Sequence, residues 1–74
     1  MISNKFEIEL FTAYILAKKG KRSYRKITNE IGFNHKNTIH DIVTNKRNNL
    51  NLVNVMKICD WLQVSVNIFF NRLQ

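Results

Sequence analysis

One short stretch of the chain carries side chains that could recognise another molecule through directed hydrogen bonds. It combines ammonium, carboxamide, imidazole, carboxylate and hydroxyl groups, which belong to Lys36, Asn37, His40, Asp41 and Thr44. At about 100° per residue, the last four fall on one face of an α-helix, with Lys36 at the margin near the helix start. Such a face offers the donors and acceptors that can distinguish base edges in the major groove of DNA.

The same stretch has an apolar periodicity that would hold this face outward. Ile39, Ile42 and Val43 recur at i, i+3 and i+4, so they form a stripe on the other side of the predicted helix. Burial of that stripe against a core would fix which side chains face solvent.

The segment just before it predicts a second short helix. Ser23 is a good N-cap, Tyr24, Ile27 and Ile31 form an apolar stripe, and Gly32 can take the positive φ of a sharp turn. Two short helices joined in this way are typical of a helix-turn-helix that reads DNA. A plain helical hairpin with a solvated outer face is the alternative for the same residues.

From Ser23 onward the chain resembles the lambda-repressor-like, or Cro-type, helix-turn-helix domains of phage and bacterial regulators. The resemblance covers roughly two-thirds of the chain. It runs through Thr38-Ile39, the polar loop from Thr44 to Asn49, the series Leu52-Val55-Ile58-Cys59-Leu62, and Val64-Ser65-Val66 leading to Phe69. It implies a sequence-specific regulator of transcription, and most simply a repressor that occupies a palindromic operator.

The chain departs from this family at three places. Gly20 lies one residue earlier than the glycine that usually precedes the second helix, and Asn45 stands where the family often has glycine. Tyr24 replaces a frequent glutamine at the start of the second helix. A tyrosine hydroxyl suits a phosphate contact better than a base contact.

The expected fold is all-α: a compact five-helix, lambda-repressor-like domain that occupies residues 1–74 as a single unit. The helices are predicted at about 5–18, 23–31, 35–44, 51–62 and 66–72, with Asn51 and Ser65 as N-caps of the last two. The last two helices have predicted buried faces made of Leu52, Val55, Ile58, Cys59 and Leu62, then Val66, Phe69, Phe70 and Leu73.

The balance of charge favours an anionic partner. The net charge is +7, and basic residues crowd the start of the second helix and the loop after the third. Cations at those two places would meet the phosphate strands that border the groove. The predicted phosphate contacts are Tyr24, Arg25, Lys26, Asn45, Lys46 and Arg47. A basic surface that serves only solubility is the alternative.

Other classes of function find little support in the sequence. His35 and His40 lie five residues apart, which is not the spacing of two metal ligands on one helical face, so we expect no metal and no cofactor. We expect no enzyme, because no nucleophile-histidine-acid pattern or carboxylate pair stands out. Cys59 is the single cysteine, and the chain has no evident targeting segment or membrane span, which favours the cytoplasm.

The sequence holds more apolar residues than one small core can bury. A homodimer would cover some of them, and its candidate residues are Val53, Trp61, Ile68 and Phe70. A tight small core with scattered exposed apolar residues is the alternative. A helix-turn-helix fold can also serve as a protein-interaction module, such as an antirepressor or an inhibitor. In that alternative the contact stripe would be Ile8, Phe11 and Ile15.

Overall fold

The structure, a computed structural model, describes residues 3–45 and 50–73, and this part of the chain is mostly helical. Its elements in chain order are β1 (Ser3–Phe6), α1 (Ile8–Lys19), α2 (Tyr24–Ile31), α3 (Thr38–Asn45), α4 (Leu52–Leu62), a 3₁₀ turn (Val66–Phe69) and β2 (Phe70–Leu73). No helix of the described residues has the length and apolar character needed to cross a bilayer.

The two ends of the described chain pair with each other. β1 and β2 form an antiparallel two-stranded sheet in which Ser3 lies opposite Leu73 and Phe6 lies opposite Phe70. The backbone N–H of Glu7 then donates to the carbonyl of Phe69, which ties the start of α1 to the 3₁₀ turn. The sheet and this hydrogen bond therefore hold the start of α1 beside the end of the 3₁₀ turn.

This pairing corrects two of the predicted helices. The predicted first helix, at 5–18, begins only at Ile8 because the preceding residues are a strand, and the predicted helix at 66–72 is a 3₁₀ turn followed by β2. The described residues thus form four α-helices, and the five-helix prediction is not confirmed. Strand pairing joins residues far apart in sequence, so local periodicity carries no trace of it.

All four helices and the 3₁₀ turn contribute to one buried core. Its members are Phe11, Ile15, Ile27, Ile39, Ile42, Val55, Ile58, Cys59 and Phe69. Phe69 is edge-on to Phe11, with ring centroids 5.0 Å apart, an arrangement that aromatic pairs favour. The predicted buried stripes of α2 and α3 are confirmed, although Tyr24, Ile31 and Val43 are only partly buried.

The predicted face of α4 is right at its centre and wrong at its start. Val55, Ile58 and Cys59 are buried, whereas Leu52 is 70% exposed. Leu52 is the first residue of α4, directly after the N-cap Asn51. The predicted stripe therefore begins at Val55, one turn later. Phe70, which was predicted to be buried, is exposed as well.

The connection between α2 and α3 follows from its end residues. The Ser23 hydroxyl accepts a hydrogen bond from the backbone N–H of Lys26 at 3.0 Å, which caps the start of α2. At the other end Gly32 adopts φ +104°, and the N–H groups of Gly32 and Phe33 both donate to the Thr28 carbonyl. The chain turns sharply there because glycine tolerates this backbone conformation.

Candidate nucleic-acid interface

The polar residues picked out by their spacing do share the outer side of α3 and of the turn before it. Lys36, Asn37, His40 and Thr44 are exposed, and Asp41 is partly exposed. Ile39 and Ile42 are fully buried on the opposite side of the helix. Burial of these two isoleucines fixes the rotation of α3, so the polar residues point away from the core.

Asn37 stands just before α3 rather than within it. The predicted helix at 35–44 begins instead at Thr38, since the Thr38 hydroxyl and N–H both donate to the His35 carbonyl. The Asn37 carbonyl accepts from the N–H of Asp41 at 2.8 Å, and its own N–H donates to His35 Nδ1 at 3.2 Å. The backbone of Asn37 is thus held from both sides. Its exposed carboxamide has no hydrogen-bond partner among the described residues.

His40 and Asp41 lie next to each other at the first turn of α3. His40 Nδ1 is 3.8 Å from Asp41 Oδ1, so the two form an ion pair when the imidazole is protonated. The His40 ring also packs edge-on against the Tyr24 ring, with centroids 5.4 Å apart. Tyr24 is the first residue of α2, so this contact brings the start of α2 beside the polar face of α3.

Several cations lie at or near the start of α2. Lys19 Nζ lies 4.7 Å from the centre of the Tyr24 ring, and the same ring contacts His40. Arg25 and Lys26 follow Tyr24 in the first turn of α2, and both are exposed, as is Lys21. Lys19 therefore places one cation beside the contact between Tyr24 and His40, although the predicted phosphate set did not include it.

Three of the predicted phosphate contacts cannot be placed. Lys46 and Arg47 lie outside the described residues, and Asn45 is the last residue of α3 with a side chain that is likewise outside them. Of the predicted phosphate contacts, Tyr24, Arg25 and Lys26 are thus the ones whose side chains the structure describes.

Two cations from the same sequence cluster have a different role. The Arg22 guanidinium contacts both carboxylate oxygens of Glu30, at 2.7 and 2.8 Å, and also donates to the carbonyls of Lys18 and Lys19. The Lys18 ammonium donates to the Trp61 carbonyl. Together these contacts join the ends of α1, α2 and α4, so Lys18 and Arg22 are committed within the chain.

Trp61 completes this network, which bears on its predicted place in a dimer. Its Nε1–H donates to Glu30 Oε2 at 2.6 Å, and the Lys18 ammonium and Arg22 guanidinium lie over its ring. The hydrogen bonds from Trp61 and Arg22 lower the pKa of Glu30. Trp61 was predicted to lie off the core face, but it is partly buried against the core, and its polar edge is occupied within its own chain.

The predicted protein-contact stripe of α1 is wrong. Phe11 and Ile15 are fully buried, and Ile8 is partly buried against the core. The opposite side of α1 is the exposed one, where Leu10, Tyr14 and their neighbours face an open apolar groove of about 580 Å³. α1 has apolar residues on two opposite sides, so the sequence could not show which side faces the core.

The described residues form no metal-binding cluster, and their one cysteine is not placed for reactive thiol chemistry. No group of three or more histidine, cysteine, aspartate or glutamate side chains among the described residues could hold a metal ion. Cys59 is buried in the core, and burial raises the pKa of its thiol. A raised pKa keeps the thiol protonated and unreactive, in keeping with a packing role.

Comparisons of the chain with protein-family models, with curated proteins and with solved structures found no match. The resemblance to lambda-repressor-like domains therefore remains a prediction from the residues that carry it.

Proposed function

We propose that this protein is a sequence-specific DNA-binding regulator in which α2 and α3 act as a helix-turn-helix of the lambda-repressor-like kind. In this role α3 enters the major groove, and the first turn of α2 lies against the phosphate strand beside it. The protein would act at a palindromic operator, most simply as a repressor.

The contact between Tyr24 and His40 carries the proposal. Through it, exposed polar side chains on α3 and on the turn before it lie beside the start of α2, which carries exposed cations. Base edges require the first kind of group, and phosphates require the second. A helix whose outer face is merely solvated has no need of both together.

The residues on this surface have distinct parts in the proposal. The Asn37 carboxamide has a free donor and a free acceptor, which match the N6 and N7 positions of adenine. Lys36 suits a guanine or a phosphate, and His40, Asp41 and Thr44 meet further base edges. Arg25, Lys26 and the Tyr24 hydroxyl bind phosphates, and Asn45, Lys46 and Arg47, whose side chains lie outside the described residues, are proposed to do so as well.

Dimerisation is part of the same proposal, because a palindromic operator presents two half-sites about one DNA turn apart. Val53, Ile68 and Phe70 are exposed and apolar, and they remain the candidates for the contact between copies. Trp61 is the least suitable of the original four since its indole N–H is bonded to Glu30.

A protein-interaction module is the second candidate function. The apolar groove along α1, lined by Leu10, Tyr14 and Leu62 among others, is the observation that favours it. This role would leave the polar face of α3 without a task. Substitutions on that face would then leave the activity of the protein unchanged.

Selection of bound fragments from a random duplex library separates the two candidates. A DNA-reading protein should enrich one common sequence, and a dimeric one should enrich a sequence with two-fold symmetry. A protein with both Asn37 and His40 changed to alanine should lose this enrichment while retaining weak binding to any duplex. Failure of the wild-type protein to enrich any sequence would contradict the proposed function.

A further inference from the structure

The hydroxyl group of Thr44, on the outer face of α3, is engaged in a hydrogen bond within the helix itself. The hydroxyl donates a hydrogen bond to the backbone carbonyl of His40, one helical turn earlier, at 2.7 Å. The side chain is nevertheless exposed. Thr44 therefore has no free hydroxyl proton to offer to a partner.

This hydrogen bond decides which bases Thr44 can recognise. A hydroxyl has one proton, so the group that donates to His40 has none left for the acceptors of thymine or guanine. The bond also turns the oxygen back against the helix backbone. Cβ carries the oxygen and the methyl group in different directions, so the methyl group of this exposed side chain takes no part in the bond to the backbone. It is the part of Thr44 best able to reach a base.

We propose that Thr44 selects thymine by contact between its methyl group and the 5-methyl group of the base. Thymine is the one DNA base with a methyl group in the major groove, and apolar contact is the means by which a protein recognises it. The inference rests on the proposed function, since it assigns a base preference to one position of α3.

The size of the effect follows from the burial of one methyl group. Burial of one CH₂-sized group contributes about 0.8 kcal/mol, which corresponds to a roughly four-fold change in affinity. A preference of this size is small beside a bidentate contact, yet it is well within the precision of a binding measurement.

The test uses the duplex sequence enriched in the selection experiment. Each thymine is replaced in turn by deoxyuridine, which differs only in lacking the 5-methyl group. The wild-type protein should bind about four-fold more weakly when one particular thymine of a half-site is replaced. Replacement of thymines away from Thr44 serves as the internal comparison.

Two variants separate the role of the methyl group from that of the hydroxyl. Thr44→Ser keeps the hydroxyl and its bond to His40 but has no methyl group, so it should bind the thymine and deoxyuridine duplexes equally at that position. Thr44→Val keeps methyl groups and has no hydroxyl, so it should retain the preference for thymine. Circular dichroism melting of both variants establishes that α3 remains folded.

Several results would overturn the inference. One is a Ser variant that keeps the wild-type thymine preference at every position, and another is a Val variant that loses this preference. A third is a wild-type protein whose affinity changes with no thymine replacement. Each of these leaves the enriched sequence, and hence the proposed function, intact. Failure at the earlier selection step would instead overturn the proposed function and the role of Thr44 together.

Discussion

Glu30 accepts hydrogen bonds from two side chains that lie far from it in sequence. Arg22 is 8 residues earlier and Trp61 is 31 residues later. The helical spacing predicts Trp61 off the core face, whereas the ring is partly buried against the core, and the spacing cannot reveal a partner on another helix. The sequence predicts which residues of α3 are exposed, but it does not show the bond from the Thr44 hydroxyl to the carbonyl one turn earlier, because a threonine in a helix can form that bond or leave its hydroxyl free.

The Glu30 network should make the stability of the protein sensitive to acid. The folded-state pKa of Glu30 lies below the ordinary glutamate value of 4.5, chiefly because of the hydrogen bond from Trp61. The stability from this carboxylate is therefore complete above that pH and is lost as the pH falls through the lower, folded-state value.

Thermal melts of wild type, Glu30→Gln and Trp61→Phe between pH 5 and pH 2 measure this effect. The melting temperature of wild type should fall more steeply than that of Glu30→Gln. Trp61→Phe, which removes the indole N–H but keeps an aromatic ring, should lie between them. Parallel curves for all three proteins would show that the network has no part in acid unfolding.

The sequence predicts α2, the turn at Gly32 and the inward face of α3 because their signals are local. The cap at Ser23, the apolar stripes and the glycine are all within a few residues of what they control. The ends of the chain are different: β1 and β2 depend on each other across the whole chain, and residues that continue a helical pattern form strands instead. The sequence could not supply that pairing.

The turn between α2 and α3 should depend on the glycine at position 32. A side chain at this position would meet no atom within 4 Å, so its cost would come from the φ of +104° alone. Gly32→Ala should therefore lower the free energy of unfolding by about 1 to 2 kcal/mol, and Gly32→Asn by less, because asparagine tolerates left-handed conformations better. Urea denaturation provides the measurement. An alanine variant as stable as wild type would mean that the turn relaxes at no cost.

The whole molecule combines a net charge of +7 with an uneven use of its cations. Lys18 and Arg22 hold helices together, whereas Lys21, Arg25 and Lys26 are exposed near the start of α2. Composition predicts attraction to an anionic partner but cannot separate these two groups. Lys21, Arg25 and Lys26 are thus among the exposed cations that could serve the phosphate contacts of the proposed function.

The exposed cations of α2 should contribute to binding of every duplex alike. If Arg25 and Lys26 each neutralise one phosphate, the double change to alanine should make the slope of log affinity against log salt shallower by roughly 0.9 per residue. Lys57 is the control, because it packs over the Phe33 ring beyond the opposite end of α2. Lys57→Ala should leave the slope unchanged. Equal slopes for the double variant and wild type would exclude the phosphate contacts.

The proposed dimer can be tested on a residue that the core does not need. Val53 is 65% exposed, so Val53→Glu should leave the domain folded while it weakens self-association. Sedimentation equilibrium over a range of protein concentrations, with and without the enriched duplex, follows both proteins. A wild-type chain that stays monomeric under all these conditions contradicts the dimer, and a Val53 variant that dimerises normally places the contact elsewhere.

The central claim, that the outer face of α3 reads DNA sequence, is tested most directly by the affinity of Asn37→Ala for two duplexes, the enriched sequence and a scrambled one. The variant should lose about 1 to 3 kcal/mol of binding free energy on the enriched duplex and almost none on the scrambled one, because the carboxamide contacts bases and not phosphates. Asn67→Ala, a change at an exposed asparagine in the 3₁₀ turn, should bind both duplexes as wild type does. Equal losses on the two duplexes, or no loss on either, would contradict the claim.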